Sequence, residues 1–228
     1  MLIADILKTS LIDFPGKVCA VVFTGGCNFS CPFCHNPHLV HFSGEARWTA
    51  GQALAFFENR TNFLDGVTVT GGEPTLHPDL GEFLQKIKDL GLLVKLDTNG
   101  SRPRVLENIL SAGLADFLAM DVKTLPGAYP ATVAPGAEPA SILESIRLVK
   151  ESGLDHEFRT TCVPGLVDAD TVDALGPILS GARAWAFQSF RDERTLSPDR
   201  IPSARYTRED LEAFAARAEP WVKKTLVR

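Results

Sequence analysis

The 228 residues hold no apolar run approaching the roughly 20 that a membrane span needs. The N-terminus shows no basic region followed by an apolar stretch and a cleavage site, so a cytoplasmic location is the expectation. Long blocks of one charge sign are missing too. Lysines, arginines and acids are interleaved and the net charge of −5 is mild, which argues against a phosphate-neutralising surface for nucleic acid. With no internal linker and no low-complexity segment, one domain over residues 1–228 is expected, its core at about 17–190 and a C-terminal helix and tail in 191–228. Cysteines number only five, and three fall within eight residues. In a reducing compartment that pattern points to metal or redox chemistry and away from a disulfide framework.

What is present reads as repeated strand–helix units. VCAVVFT at Val18 to Thr24 is β-branched and apolar, a buried strand running straight into Gly25, Gly26 and the cysteines. Thr49 is set to cap a helix to about Arg60. Then follow a strand at Val67 to Thr70, a helix at Asp79 to Leu90, a strand at Leu92 to Leu96, a helix at Pro103 to Ala112 and a strand at Phe117 to Met120. A helix at Ser141 to Ser152, a strand at Glu157 to Val163, a helix at Asp170 to Leu179 and a strand at Trp185 to Gln188 complete the series. Thr207, with Asp210 three residues on, opens a last helix to Glu219. Gly91, Gly113, Gly153 and Gly181 stand where left-handed caps close helices. Residues Leu125 to Pro139, rich in Pro, Ala and Gly, read as a long loop. Six strands alternating with helices predict an α/β fold with a parallel sheet, either curled as a partial barrel or doubly wound; a complete barrel would need eight units.

Polar segments fall at the ends of these strands: Gly71-Gly72-Glu73 after the second, Asp97-Thr98-Asn99 at the third, Asp121-Val122-Lys123 at the fourth and Gln188 at the sixth. In barrel-like α/β folds that rim builds the active site. Taken singly, Gly71-Gly72 reads as an ordinary turn, Asp97 to Gly100 as an ordinary strand exit and Lys123 as a surface lysine. Their common placement at one rim favours a site.

Cys27-x3-Cys31-x2-Cys34 offers three thiolates on one short loop, which suits a four-iron four-sulfur (4Fe-4S) cluster bound at three irons and open at the fourth. Rival readings are a structural zinc completed by His35, His38 or His41, a dithiol motif at Cys31-Pro-Phe-Cys34, and c-type haem attachment at Cys31-x2-Cys34-His35. The plainest rival is a set of ordinary buried cysteines. The zinc reading meets a chain with a large core that needs no staple, and the dithiol reading leaves Cys27 idle. Cys19 and Cys162 lie within strands and are expected in the core. Phe33, just before the last cysteine, belongs either to the core or against a flat cofactor ring.

The C-x3-C-x2-C spacing with an aromatic before the last cysteine, followed by GGEP at Gly71 to Pro74, resembles the radical S-adenosylmethionine (SAM) superfamily. Further along, LKTSLIDFPGK, FTGGCNFSCPFCHNP, DGVTVTGGEPTLHPDL, VKLDTNG, AMDVKT and FRTTCVPGL resemble the activating proteins of anaerobic ribonucleoside-triphosphate reductase, a branch of the glycyl-radical-enzyme activases. The resemblance is weakest in Leu125 to Pro139 and after Arg191. It implies a partial (βα)6 barrel whose 4Fe-4S cluster, on Cys27, Cys31 and Cys34, is chelated at its open iron by the methionine part of SAM. An electron from a reduced flavodoxin or ferredoxin then cleaves SAM to methionine and a 5′-deoxyadenosyl radical, which takes a hydrogen from a glycine of the partner reductase.

The same resemblance implies that Gly71 and Gly72 let backbone approach the methionine, and that Glu73 meets the SAM ammonium or orders its own loop. Asp97 would accept from ribose hydroxyls, and Asp121 with Lys123 would face the SAM carboxylate or a nearby cation. In related activases the positions of Asp97, Thr98 and Asp121 hold a monovalent cation. Arg159 contacts SAM or substrate backbone, or else makes a structural salt bridge. With no cysteine-rich insertion between Cys34 and Gly71, a single cluster is expected. Gln188 stands where pyruvate formate-lyase activases place a histidine, which favours the reductase-activase branch. Two other functions compete: radical chemistry on a small substrate, as in the enzyme that contracts a pterin ring to carboxy-deazaguanine, and a non-catalytic zinc-bearing module.

Overall fold

The computed structural model describes residues 1–44, 46–190, 195–201 and 204–228. In chain order its elements are β1 (Ile3–Ser10), β2 (Cys19–Thr24), α1 (Pro37–Val40), α2 (Ala50–Glu58), β3 (Gly66–Gly71), α3 (Leu80–Asp89), β4 (Leu93–Thr98) and α4 (Pro103–Ser111). There follow β5 (Phe117–Asp121), α5 (Tyr129–Thr132), α6 (Pro139–Glu151), β6 (Asp155–Cys162), α7 (Ala169–Leu179), β7 (Trp185–Ser189), α8 (Arg208–Ala218) and β8 (Thr225–Val227). Among the described residues no helix is long and apolar enough to cross a membrane.

The chain divides into two compact units, Met1–Asn28 with His38–Thr98 and Arg104–Leu118, and Phe29–Pro37 with Asn99–Pro103 and Ala119–Arg228. In the first, β1 to β4 lie side by side in chain order; in the second, β6 to β8 do the same. β2 pairs with β3 and β3 with β4 in parallel, and so do β6 with β7 and β7 with β8.

All six strands read from the sequence are present, but two more join them. β1 pairs antiparallel with β2. Its sequence, IADILKTS, carries Asp and Lys among its apolar residues and turns one half-exposed side outward, so it lacks the continuous apolar run that marks the buried parallel strands. β8 is three residues long, too short to register as a period. The stretch read as a loop from Leu125 holds a turn of 3-10 helix at Pro126–Ala128 and then α5, both opened by proline.

Helix starts follow the expected chemistry. Thr49 caps α2 in a reciprocal box with Gln52, and Thr207 caps α8 in the same way with Asp210. α7 begins one residue earlier than read, where the side chain of Asp168 accepts the Thr171 N–H and caps it. Gly91, Gly113, Gly153 and Gly181 all adopt positive φ, between 64° and 85°.

In the first unit the sheet face carrying Cys19, Val21 and Phe23 packs on Phe14, Leu93 and Phe117. The Phe14 and Phe117 rings lie 6.0 Å apart. Each such side chain contributes about 1.5–3 kcal/mol on full burial, which holds the strand ends above it in place.

Candidate active site

In the first unit three strand ends gather. β2 leaves through Gly25 and Gly26 to Cys27, and each backbone N–H of that exit is held. Gly25 N–H donates to the Leu2 carbonyl (3.0 Å), Gly26 N–H to Leu39 (2.8 Å) and Cys27 N–H to Val40 (3.1 Å), the last two using end carbonyls of α1. The Gly25 carbonyl faces His77 Nε2 at 3.1 Å. Since Leu2 N–H donates to Nδ1 (3.5 Å), the ring is the Nε2–H tautomer, and burial pushes its pKa below the ordinary value.

The GGE loop at the end of β3 is laid against this exit. Gly72 N–H donates to the Thr24 carbonyl (2.8 Å) and Glu73 N–H to the Gly26 carbonyl (2.9 Å). A Cβ on Gly72 would stand 2.0 Å from the Gly26 carbonyl oxygen, and one on Gly71, at φ +121°, would stand 2.2 Å from the Thr24 nitrogen. The two glycines therefore allow backbone to approach backbone, a duty distinct from the approach to methionine implied by the resemblance. Glu73 is fully buried. Its Oε1 accepts from the Thr75 N–H (3.1 Å), the Thr75 hydroxyl and the Thr98 hydroxyl (2.8 Å). It thus caps its own turn and ties β3 to β4.

Asp97 and Thr98 close β4. Asp97 is buried and ion-paired with Lys95, two residues earlier on the same face and itself buried. Sequence reasoning passed over Lys95. The only signal was its place, two residues before a strand-end aspartate, in a segment otherwise apolar.

The second unit holds the rest. Cys34 N–H donates to the Cys31 carbonyl (3.0 Å), a turn that brings the x2 pair of cysteines round on one bend. Burial pushes the Cys34 thiol up, while Lys123 pulls it the other way. Phe33 is buried. The bend is fastened by Ser30 N–H to the Val133 carbonyl (3.3 Å), by Ser197 N–H to Pro32 (3.1 Å), and by an edge contact of Phe29 on the Tyr129 ring at 5.9 Å.

At the end of β5, Asp121 takes Arg159 Nε on Oδ1 and Lys123 Nζ on Oδ2, each at 2.8 Å. Burial alone would raise this carboxyl, but the two cations overcome it and hold it well below the usual carboxylate range. Lys123 is correspondingly held above the ordinary lysine value despite its burial, by Asp121 first and Cys31 next. Of the two roles expected for Arg159, the salt bridge is formed. The register Arg159↔Ala186 and Thr161↔Gln188 puts Gln188 on the same sheet face as Arg159. The AFQSFRD segment around it runs past Phe190 into Arg191 and Asp192, outside the described residues. Tyr129, another residue missed in the sequence, accepts the Lys123 N–H at 2.9 Å.

Cys19 and Cys162 are fully buried, as expected. Burial pushes the Cys162 thiol up to about 12 and raises Cys19 as well. All five cysteines are free of disulfides. Among the described residues no three His, Cys, Asp or Glu side chains stand together as a metal site. His35, His38 and His41, the partners of the zinc reading, are exposed, and His35 stacks on Phe190 at 6.3 Å.

The family model of the radical SAM superfamily matches residues 21–176. A protein of Methanocaldococcus jannaschii named as a glycyl-radical enzyme activating enzyme is 35% identical over 196 residues, 83% of this chain and 80% of that one. The pyruvate formate-lyase-activating enzyme of Clostridium pasteurianum is 29% identical over 188 residues, 79% of this chain and 77% of its own. Among solved structures, Streptococcus suis SuiB bound to its precursor peptide SuiA superposes with a TM-score of 0.72 at 14% identity, covering 91% of this chain; the chain spans 48% of SuiB. At that identity the likeness speaks to the fold alone, and it agrees with the expected α/β class, a partial (βα)6 barrel with parallel strands. The chain belongs to the radical SAM superfamily, as an enzyme of its glycyl-radical-enzyme-activating family.

Proposed function

We propose that Cys27, Cys31 and Cys34 hold a 4Fe-4S cluster at which SAM is cleaved, and that the glycine activated belongs to anaerobic ribonucleoside-triphosphate reductase. The observation that carries the reading is the cysteine spacing itself, on a loop whose Cys27 end is bonded to the GGE loop. The donor set fits: three thiols on one short loop, all free of disulfides. Held by Cys27, Cys31 and Cys34, such a cluster would supply the one-electron reduction by which SAM is cleaved for hydrogen abstraction from the partner's glycine.

The chain's own residues do the holding. Gly72, Glu73 and His77 fix the backbone that leads to Cys27, and Glu73 locks the ends of β3 and β4 together. Asp121, Lys123 and Arg159 form a fixed charge group with one more positive than negative charge, suited to a carboxylate such as that of methionine. Phe33, Asp97, Thr98 and Gln188 are proposed to line the SAM site. A monovalent cation at Asp97, Thr98 and Asp121 would compete with Lys95 at the first and with Lys123 and Arg159 at the last. A reduced flavodoxin or ferredoxin is the proposed electron donor.

The test is anaerobic reconstitution with iron and sulfide, then dithionite and SAM, comparing the wild type with Cys31→Ala. 5′-Deoxyadenosine formed by the wild type alone is expected. A properly loaded protein that makes none overturns the reading. Adding the reductase should produce a glycyl doublet in electron paramagnetic resonance; SAM cleavage without it means another partner.

A further inference from the structure

Tyr129 stands out in the second unit. It is fully buried, in a segment with no evident motif. Its oxygen accepts the Lys123 N–H at 2.9 Å, which leaves the phenol's own proton to donate, and among the described residues no group accepts it. A buried donor left without an acceptor is costly, so one in a well-packed site implies a group to be received.

The surroundings say where that group lies. The α5 turn is strapped to the cysteine bend just past the phenol. Val133 N–H donates back to the Tyr129 carbonyl (2.8 Å), and the Val133 carbonyl takes both the N–H and the hydroxyl of Ser30, the residue before Cys31, at 3.3 and 3.4 Å. Phe29 packs edge-on against the ring. A phenol keeps its proton at any working pH, so Tyr129 stays a donor there.

We propose that Tyr129 is a redox-tuning residue: its phenol O–H donates to a sulfur of the cluster held through Cys31, and together with the Lys123 ammonium it sets the potential at which that cluster is reduced. The inference rests on the cluster site proposed above. A cluster ligated by thiolates gains one negative charge on reduction. A hydrogen bond to its sulfur and a neighbouring ammonium both stabilise that added charge, and in a buried site they act with little screening. The step is a single electron entering from the reduced flavodoxin or ferredoxin, with no proton moved and no bond made or broken in the protein.

The experiment is a redox titration of the reconstituted protein without SAM, followed by electron paramagnetic resonance, with iron content measured in parallel. Tyr129→Phe is expected to lower the ratio of reduced to oxidised cluster at a fixed potential by about tenfold, 59 mV for a one-electron couple. The chain has only two tyrosines, so a ring-fluorinated tyrosine supplied in a Tyr206→Phe background labels position 129 alone. The more acidic fluorophenol donates more strongly and is expected to shift the potential the opposite way. An unchanged midpoint in a fully loaded Tyr129→Phe protein overturns the inference and leaves the cluster reading standing. Should Tyr129→Phe fail to load, the fluorinated protein decides, and an unshifted potential there overturns it equally. A wild type that takes up no cluster overturns both.

Discussion

Gly72→Ala is the substitution whose cost the structure specifies most closely. The new Cβ would sit 2.0 Å from the Gly26 carbonyl oxygen and 2.6 Å from its carbon, backbone atoms that cannot swing aside as a side chain can. Relief requires the β2 and β3 exits to part, and two hydrogen bonds span that gap, Gly72 to Thr24 and Glu73 to Gly26. Losing both costs about 2 kcal/mol net, and the residual overpacking adds about 1–3 kcal/mol. The sum, about 3–5 kcal/mol, is a large part of the roughly 5–15 kcal/mol that holds a domain folded. For a chain of this size it lowers the melting temperature by on the order of 10 °C. Circular dichroism of the apoprotein reads that shift, and iron bound per chain after reconstitution reads the displacement of Cys27. Gly91→Ala is the control: it carries φ +78° but no atom lies within 4 Å of its Cβ, so it costs only the left-handed penalty, about 1–2 kcal/mol. A Gly72→Ala protein that melts with the wild type, or no lower than Gly91→Ala, refutes the close-approach argument.

Other expected outcomes concern the groups around the site. Lys95→Met takes the cation from buried Asp97 and should cost about 3–5 kcal/mol in urea unfolding, while replacing both partners by apolar residues should recover most of it. Thr49→Ala removes one half of the α2 capping box and should lower the unfolding free energy by about 0.5–2 kcal/mol without altering the cluster's spectrum. Burial holds the imidazoles of His77 and His156 below their ordinary 6.5, so the unfolded chain binds their protons more readily than the folded one. Stability is therefore whole above 6.5 and is lost as the pH falls from 6.5 toward the folded values. Urea midpoints between about pH 7.5 and about pH 5.5 should show that decline, and His156→Gln should flatten it; an unchanged slope would contradict the neutral assignment, in which His156 keeps its bonds to Leu154 and Arg183.

The parts of the molecule written in local chemistry were legible beforehand. Thr207 with Asp210 three residues on announces a helix start because the two side chains close on each other's backbone, needing nothing more distant. The same holds for the glycines that end helices, for the apolar run of β2, and for three cysteines whose spacing alone places their thiols on one short loop. β1 was not legible, since an edge strand with one exposed side carries no continuous apolar run, and its partner lies beyond a turn whose course the sequence does not mark.

The site divides along the same line. The amino-acid sequence by itself determined the spacing of the three cysteines, the polar strand ends and the family. Only the tertiary structure decided what surrounds them. Gly72 is required by the carbonyl of Gly26, 46 residues away in the chain; Lys95 neutralises Asp97 because alternate residues of a strand share a face; and Tyr129 reaches Lys123 because α5 is strapped under the cysteine bend. Each of these depends on a distance between groups that no local pattern encodes. A buried charge, a close approach or an unanswered donor becomes visible only when the chain has been folded around it.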